Sequence, residues 1–429
     1  MTRNPDAVSL NNIPASDYAT FYKQTVDLLK KKGNHCLNYI ALNEGDSLRF
    51  FILIADDERH AVLIYSHVLK KPVKSLKSIS AGCYQMHVFE RVIHERYGIH
   101  FTGHPWLKPV RYPSDRYDAN DVMSSYPFYS IDSEEIHEVG VGPIHAGVIE
   151  PGHFRFICHG ENVLHLEIQL GYQHRGIEEL FSENTGLLKQ SILSETIAGD
   201  TSVGHALAYS QMTEMLGGFT PHKQLSGERI IALELERIAV HIGDTAALCG
   251  DVGYQIGQVT CEALRTIVIN TTQDWCGNRF GKGLVRPGGT NYPLSDEMIK
   301  TIEERLDEVN RRFHHVLDLI YNNSGIISRF ENTGTVSLTQ ALLAGATGMA
   351  ARSTGLPRDI RLSHPFQAFS KLDYKPAVME SGDVLARGML RKLEFELSLS
   401  IIRRLLLELA GENNHEGIKP DYNMHLRPD

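Results

Sequence analysis

The stretch DEMIKTIEERLDEVNRRFHHVLDLIY, residues 296–321, carries the clearest structural signal in the chain. Its apolar side chains recur every three or four residues, which is the spacing of one face of an α-helix. They are Ile299, Ile302, Leu306, Val309, Phe313, Val316 and Ile320. A second long helix is predicted from about Gly382 to Leu409, and the pattern is mainly helical from about Ile177 onward. The carboxyl-terminal half is therefore predicted to be a helical bundle.

The first 118 residues have a different pattern, typical of a small α+β domain. Residues 38–42, 48–55 and 61–65 are apolar runs of strand length, whereas residues 86–97 have helical spacing. Residues 119–137 are polar and contain turn-forming residues and a proline, so they are predicted to be a linker.

Residues 138–429 are predicted to form the second domain, which opens with a β-hairpin. In its second strand the apolar side chains alternate with polar ones, so we expect a half-buried strand with His165 and Glu167 on the exposed face. The apolar face carries Leu164, Leu166, Ile168 and Leu170. The predicted fold class is α+β.

Composition limits the possible function. The 429 residues include 43 Lys and Arg against 52 Asp and Glu, for a formal net charge of -9. A hydrophobic fraction of 42% is typical of an ordinary globular protein. Because no net positive charge is available to neutralise phosphates, nucleic acid is not expected as a partner.

Six cysteines are scattered along the chain, and no two of them form a Cys-x-x-Cys pair. This argues against a zinc ribbon or an iron-sulfur cluster bound by the chain itself, and it suits a reducing compartment. The first residues lack the apolar core of a secretory signal, so none is expected. Residues 332–351 are uncharged but too polar for a membrane span, and we predict a buried helix and a glycine-rich turn there.

Several common catalytic motifs are missing. The sequence has no dinucleotide-binding G-x-G-x-x-G, no phosphate-binding loop, no G-x-S-x-G and no H-E-x-x-H. Five histidines lie close together, at His145, His153, His159, His165 and His174, a density compatible with a metal site. We interpret them mainly as ordinary polar positions, because the strand and turn that carry them prevent all five from converging.

Three segments carry candidate site residues. His145 lies in the loop Gly142-Pro-Ile-His-Ala-Gly, and an imidazole held by glycines can carry protons near neutral pH. In the segment from Glu195 to His205, Asp200 is either a helix cap or a site residue. Arg286 precedes Pro-Gly-Gly, a tight turn that would hold the arginine at a fixed point.

Taken together, these segments resemble the large subunit of membrane-bound, energy-converting nickel-iron hydrogenases. The resemblance rests on GPIHAGVIEPGHFRF (142–156), LGYQHRGIE (170–178), NRFGKGLVRPGG (278–289) and RDIRLSHPF (358–366). The same segments resemble, less closely, the quinone-site subunit of respiratory complex I. In the first domain, ERYGIHFTGHPWL (95–107) resembles the signature of the companion peripheral-arm subunit of complex I, which is fused to the large subunit in some of these hydrogenases.

The chain departs from the hydrogenase pattern at the metal ligands. In that family, two Cys-x-x-Cys pairs hold nickel and iron through soft thiolates. By the resemblance, the first pair would fall between Glu195 and His205, where this chain has Ala198 and Thr201. The second would lie near the carboxyl terminus, but no cysteine follows Cys276. No nickel-iron centre is therefore expected.

The match to complex I is also incomplete. By that resemblance, the pocket without cysteines would accept a quinone headgroup. This chain retains His205 from the hydrogenase pattern, but Thr196 replaces the neighbouring arginine. It has no clear counterpart of the loop histidine or of the quinone-binding tyrosine of complex I. Quinone is therefore a candidate acceptor whose usual contacts are missing.

The resemblance implies a core subunit of a membrane-associated, ion-translocating redox complex, of NADH-quinone oxidoreductase-like or hydrogenase-like type. Quinone and NAD binding are features of that class. The implied partners are an iron-sulfur small subunit and antiporter-like membrane subunits, which would hold the chain peripherally on the cytoplasmic face of the cell membrane. A structural or conformational-coupling subunit without its own substrate is the alternative, and a hydrogenase using other ligands is a third possibility.

The candidate site residues follow from the same resemblance. We assign catalytic roles to His145, Asp200 and His205, cofactor-binding roles to His174, Arg175 and Arg286, and Mg binding to Glu150. Ionisable side chains gathered in a partly buried cavity have shifted pKa values and can carry protons. On the last long helix, Arg387, Arg391 and Glu394 follow helical spacing and predict a salt-bridged face rather than a catalytic site.

Overall fold

The computed structural model describes residues 2–3, 6–145, 151–410 and 418–427. Within them, an amino-terminal α+β unit is followed by a three-stranded sheet and a helical bundle, which confirms the α+β fold class. Among the described residues, no helix combines the length and the apolar character needed to cross a membrane.

The amino-terminal unit is built on a four-stranded sheet. Its elements are β1 (Ala15–Ser16), α1 (Tyr18–Leu29), β2 (Asn34–Glu44), β3 (Ser47–Asp56), β4 (Ala61–Lys70), β5 (Ser75–Lys77), α2 (His87–Tyr97) and β6 (His100–Thr102). The strand order is β1-β4-β3-β2, with β2, β3 and β4 antiparallel and β1 parallel to β4. Apolar side chains of α1, α2 and this sheet form one hydrophobic cluster, because each element buries a single face.

Strands β5 and β6 pair separately in a small parallel sheet. After this unit, the antiparallel strands β7 (His137–Val141), β8 (His153–His159) and β9 (Asn162–Gln169) form a three-stranded sheet, which we call the second sheet because it is the main sheet of the second half of the chain. The alternation predicted for β9 is present, but the predicted orientation is wrong. Leu164, Leu166 and Ile168 are 55%, 44% and 41% exposed, whereas Glu167 and Gln169 are 4% and 2% exposed. The sheet therefore buries its polar face and exposes its apolar face.

The polar face is buried because Lys108 and the segment predicted as a linker pack against it. Lys108 Nζ donates to Glu167 Oε1 at 2.7 Å, and the backbone N–H of Tyr129 donates to Glu167 Oε2 at 2.8 Å. The side chain of Gln169 donates to the carbonyl oxygen of Met123 at 2.7 Å. These contacts satisfy the buried polar groups, which would otherwise be costly.

The bundle comprises the remaining helices. They are α3 (Ile177–Glu183), α4 (Leu187–Ser194), α5 (Ser202–Gly217), α6 (Lys223–Asp251), α7 (Gln255–Cys276), α8 (Asp296–Tyr321), α9 (Ser324–Phe330), α10 (Leu338–Ala344), α11 (Gly348–Arg352), α12 (Ile360–Ser363) and α13 (Val384–Leu409). Helix α6 packs against α7 and α13, and α7 packs against α8. Helix α8 spans the predicted residues 296–321, begins at a Ser295 cap and buries all seven predicted apolar positions.

Residues 332–351 form two short helices, α10 and the start of α11, around a turn. Most of their side chains are exposed, and Ala341 and Ala351 are the fully buried residues of the segment. The prediction of a buried helix here is wrong. The segment lacks charged residues because it is rich in small and hydroxyl side chains, and not because it lies in the core.

A network of buried ion pairs crosses the bundle between α6, α11, α12 and α13. Glu394 of α13 is 1% exposed, accepts from Arg352 Nη2 at 2.6 Å, and lies 2.8 Å from His241 Nε2. Glu394 thus joins elements distant in sequence, whereas Arg391 pairs with Asp244 of α6. The salt bridges predicted along α13 are therefore not formed: Arg391 and Glu394 pair with neighbouring elements, and Arg387 donates to the carbonyl oxygens of Gly382 and Gly334.

Candidate functional site

The segment between α4 and α5 begins at a buried ion pair. Glu195, 3% exposed, accepts from Arg286 Nη1 at 2.6 Å and from Nη2 at 3.2 Å, and also from the backbone N–H of Gly283 at 2.6 Å. Burial acts to lower the pKa of Arg286, but its hydrogen bonds with Glu195 and the charge of that carboxylate outweigh burial and raise the pKa. A bidentate pair of this kind fixes the relative orientation of the two side chains as well as pairing their charges.

A second buried pair holds the turn that carries Arg286. Arg229 and Glu214 form two hydrogen bonds, at 2.9 and 2.5 Å. Arg229 Nη2 also donates to the carbonyl oxygen of Arg286 at 2.7 Å, and Gly288 N donates to Glu214 Oε1 at 2.8 Å. The Arg-Pro-Gly-Gly turn is therefore fixed from α5 and α6, and Arg286 has little freedom to move.

The carboxyl-terminal segment closes one side of this region. Its Ile418 carbonyl accepts from Thr290 N at 3.0 Å. A Cβ at Gly289 would lie 1.9 Å from that carbonyl oxygen, so the close approach requires glycine. Tyr422 of the same segment lies close enough to Arg286 to contribute to the raised pKa of the arginine. The tyrosine thus reaches this region from the carboxyl terminus, about 220 positions along the chain from the segment after Glu195.

Arg175 anchors the middle of the same segment. Its Nη2 atom donates to the carbonyl oxygen of Ile197 at 2.5 Å, and the residue is exposed. His174, its neighbour in the turn after β9, is partly buried. Of the three predicted cofactor-binding residues, Arg175 and Arg286 therefore contact the chain itself.

The end of the segment leads into α5, where Glu236 of α6 caps the helix. The side chain of Thr201, at the N-cap position, makes no capping hydrogen bond. Glu236 instead accepts from Val203 N at 2.7 Å and from Gly204 N at 3.0 Å. Burial raises the pKa of Glu236 to about 8, and the charge of nearby Asp200 acts in the same direction.

The predicted catalytic residues occupy three positions. Asp200 is exposed just before α5, and His205 is partly buried in its first turn, where burial lowers the pKa of the imidazole. His145 lies beyond the end of β7, with its ring centroid 6.0 Å from that of Phe154. Glu150, the predicted Mg ligand, lies outside the described residues.

The structure thus brings Arg175, Asp200, His205 and Arg286 together on or against one segment, residues 195–205, which we call the anchored segment. Sequence reasoning missed Glu195 as the partner of Arg286 and Glu236 as the cap. Residues 234–237 of α6 are Glu-Leu-Glu-Arg. Nothing in this local pattern shows which of the two glutamates reaches another helix. Among the described residues, no group of three or more His, Cys, Asp or Glu side chains is arranged to hold a metal ion.

Comparison with known proteins identifies two families. Residues 15–127 match the family described as the 30 kDa subunit of respiratory-chain NADH dehydrogenase, and residues 251–426 match the 49 kDa subunit of the same enzyme. These ranges cover the amino-terminal sheet and the larger part of the bundle.

Individual relatives come from both complex I and hydrogenases. The chain is 28% identical to the carbon monoxide-induced hydrogenase of Rhodospirillum rubrum, over 66% of this chain and 79% of the relative. It is 27% identical to formate hydrogenlyase subunit 5 of Escherichia coli, over 75% and 60%. It is 26% identical to the fused C/D-type NADH-quinone oxidoreductase protein of Acinetobacter baumannii, over 92% and 67%. The chain therefore joins a region that matches the 30 kDa-subunit family to a region that matches the 49 kDa-subunit family, and it is related to hydrogenase subunits.

Proposed function

We propose that this chain is a core subunit of a membrane-associated, ion-translocating redox complex, in which the anchored segment borders the place where an electron acceptor binds. An iron-sulfur partner subunit delivers the electrons. The acceptor is a quinone, and His205, Asp200 and His145 supply the protons that accompany its reduction.

One observation carries the proposal: the anchored segment is held at its start, middle and end, yet it offers no sulfur ligand. Glu195, Ile197 and the first turn of α5 are fixed by Arg286, Arg175 and Glu236. Preorganisation of this kind suits a site that positions a substrate. The positions at which the hydrogenase resemblance expects thiolates are Ala198 and Thr201.

The donor set does not fit nickel. The last cysteine in the sequence is Cys276, whose buried Sγ lies 3.3 Å from the carbonyl oxygen of Thr272. Burial raises the pKa of Cys276, which keeps the sulfur as a neutral thiol rather than the thiolate that binds metals. We therefore infer an organic acceptor and no nickel-iron centre.

The second sheet supports association with partner subunits. Its apolar face includes Val139, Leu164, Leu166 and Ile168, all more than one-third exposed. Contiguous exposed apolar surface is typical of interfaces between proteins. We place the chain on the cytoplasmic face of the membrane through an iron-sulfur subunit and antiporter-like subunits, and we divide it at residues 119–137, between domains 1–118 and 138–429.

The test is quinone reduction by the detergent-extracted native complex after chemical reduction of its iron-sulfur subunit. A His205→Ala, Asp200→Ala double variant should lose quinone reduction by about 10²-fold or more, the usual contribution of general acid-base groups. The matched control is His315→Ala, Asp318→Ala, two exposed residues of α8, which should leave the rate unchanged.

A second candidate function has one observation in its favour. Arg175 and Arg286, the cations expected to bind a ligand, already bind Ile197 and Glu195 of this chain. This contact pattern favours a conformational-coupling subunit without its own substrate. Unchanged quinone reduction by the His205, Asp200 variant in an intact complex would reject the first proposal and favour the second.

A further inference from the structure

We propose that a groove along α5 binds an anionic phospholipid, with an acyl chain in the groove and the headgroup at a basic rim. The groove lies between α5, the start of α6, residues 365–372 and the end of α13. The proposal rests on the proposed function only for the membrane that supplies the lipid. It concerns binding and not electron transfer, so it can be tested separately.

The groove has the size of a small-molecule site. Its main cavity has a volume of about 830 Å³, and an adjoining cavity of about 420 Å³ shares Gln211, Met215 and Phe366 with it. Cavities that bind small molecules commonly measure about 300–1,000 Å³. The two cavities follow α5 from Gly204 to its last turn, a length of about 20 Å at the helical rise per residue. One acyl chain spans half of a membrane's hydrocarbon core, or about 15 Å, so the groove is long enough to hold it.

The floor of the groove is apolar. Leu405 and Leu409 of α13 are buried, and so is Phe366. Met215 on the α5 side and Leu372 on the opposite wall are only partly buried. An acyl chain that covers these side chains removes further apolar surface from water, which favours binding.

Cations line the rim of the groove. Lys223, Lys371 and Arg404 are exposed there, together with one exposed carboxylate, Glu408, which pairs with Arg404 at 3.1 Å. The other carboxylate among the described lining residues, Glu214, is buried and already paired with an arginine. The rim therefore has a net positive charge. Basic residues at a membrane surface attract anionic headgroups, so an apolar floor beside a basic rim fits an anionic amphiphile.

The walls of the groove favour a lipid over an extended peptide. An extended peptide gains affinity by pairing its backbone with the open edge of a sheet. Helices α5, α6 and α13 form much of the wall, their backbone groups bond within each helix, and no strand of the described residues borders the groove. A lipid needs no backbone partner. A helical peptide needs no sheet edge either, but the cavity volume is that of a small-molecule site.

Calorimetric titration of the full chain with three soluble probes tests the site. Dihexanoyl phosphatidylglycerol, kept below its micelle concentration, should bind at one saturable site. Dihexanoyl phosphatidylcholine has the same chains and no net charge, so it should bind about 10-fold more weakly or worse. Glycerol 1-phosphate has the charge without the chains, so it should not bind detectably. If either of these two probes binds as tightly as the phosphatidylglycerol, the proposal is overturned.

A charge variant locates the headgroup. Lys223→Gln, Lys371→Gln should weaken the binding of phosphatidylglycerol by about 10-fold, because two charges leave the rim. The matched control is Lys74→Gln, Lys300→Gln, which removes two exposed lysines outside the groove and should leave the affinity unchanged. Equal losses in the two variants would show that net charge alone attracts the lipid, and would overturn the site.

A second variant locates the acyl chain without changing any charge. Ala368→Trp fills the groove from its wall and should abolish binding. A lipid that binds this variant as tightly as the unmodified chain occupies another surface, which contradicts the proposal. Failure of phosphatidylglycerol to bind the unmodified chain overturns it outright and favours a helical partner segment in the groove. None of these measurements involves quinone, so failure of quinone reduction and failure of lipid binding give separate results.

Discussion

At the scale of residues, the Glu195–Arg286 pair links two parts of the candidate site. Both side chains are buried, and the pair joins the anchored segment to the Arg-Pro-Gly-Gly turn. The pair need not add much stability by itself, because removing two charges from water is costly. Removal of one partner leaves the other charge buried and unpaired.

We therefore expect Glu195→Ala to lower the free energy of unfolding by about 3–5 kcal/mol, the usual cost of breaking a buried pair. Glu308→Ala, which breaks an exposed pair with Arg312 within α8, should cost only about 0.3–0.5 kcal/mol. Urea denaturation of both variants measures the difference. Similar losses in the two variants would show that burial does not determine the effect.

His67 predicts a dependence of stability on pH. It is fully buried in the amino-terminal core, with its ring stacked on Phe50 at 4.3 Å, and burial lowers its pKa to about 3. Below its ordinary pKa of 6.5, the unfolded chain binds a proton that the folded chain does not. The free energy of unfolding should therefore fall by about 1.4 kcal/mol per pH unit from this group as the pH drops from 6.5 toward 3.

A His67→Phe variant should lose this contribution, because phenylalanine fits the aromatic cluster and does not titrate. Urea denaturation at a series of pH values would show a shallower acid slope than in the unmodified chain. His315→Gln, an exposed control on α8, should keep the original slope. Parallel curves for all three proteins would exclude His67 as the source.

At the scale of elements, strand β9 of the second sheet has the predicted alternation of apolar and polar side chains, but the face that is buried is the opposite of the predicted one. The exposed side chain of Leu166 should tolerate Leu166→Ser within about 0.5 kcal/mol, as other surface positions do. Glu167→Ala should cost about 1–3 kcal/mol, because it leaves Lys108 and the N–H of Tyr129 without their acceptor. Comparison of urea midpoints for these adjacent substitutions checks the orientation, and the opposite order would contradict it.

These elements also show what sequence can predict. The bounds of helix α8 are predicted to the residue, because its apolar periodicity is a local property. The predicted faces of β9 are reversed, because alternation defines two faces but not which of them a distant segment covers. Lys108 and Tyr129 supply the missing partners, and no pattern in β9 itself reveals them.

The candidate site likewise has features that the sequence predicts and features that it does not. The tight turn after Arg286 and the position of Asp200 before a helix follow from residue types known to form turns and helix starts. Glu236 and Tyr422 escape prediction, because each reaches the site from an element remote in sequence. Capping and electrostatic contacts between remote elements depend on packing, which a single sequence shows only indirectly.

At the scale of the whole molecule, the two halves of the chain meet at a charged contact. Asp57, which follows β3, lies 3.8 Å from both Arg358 Nε and His364 Nδ1. Burial acts to raise the pKa of Asp57, but its hydrogen bond with His35 and the charges of His35, His364 and Arg358 outweigh burial and lower the pKa. Arg358 Nη2 also donates to the carbonyl oxygen of Asn34, at 3.0 Å.

Asp57 should make the contact between the two halves of the chain depend on pH. Its folded-state pKa is lower than the ordinary 3.8, so its contribution is complete well above pH 3.8 and is lost as the pH falls through that region. The contact between the halves should therefore weaken in acid before the hydrophobic core of the bundle opens, since that core is built mainly from apolar side chains.

Arg358→Ala tests whether this contact holds the two halves together. The substitution removes the cation opposite Asp57 and the donor to Asn34, so hydrogen exchange should rise in residues 32–37 and 357–364. Protection in the cores around Ile52 and Phe313, both fully buried, should remain because neither core includes Arg358. Arg403→Ala, an exposed arginine of α13 paired with Asp307, is the matched control and should leave exchange in both segments unchanged. Exchange that rises equally in the two cores would mean that the halves unfold as one cooperative unit, and unchanged exchange at the contact would mean that other residues hold them together.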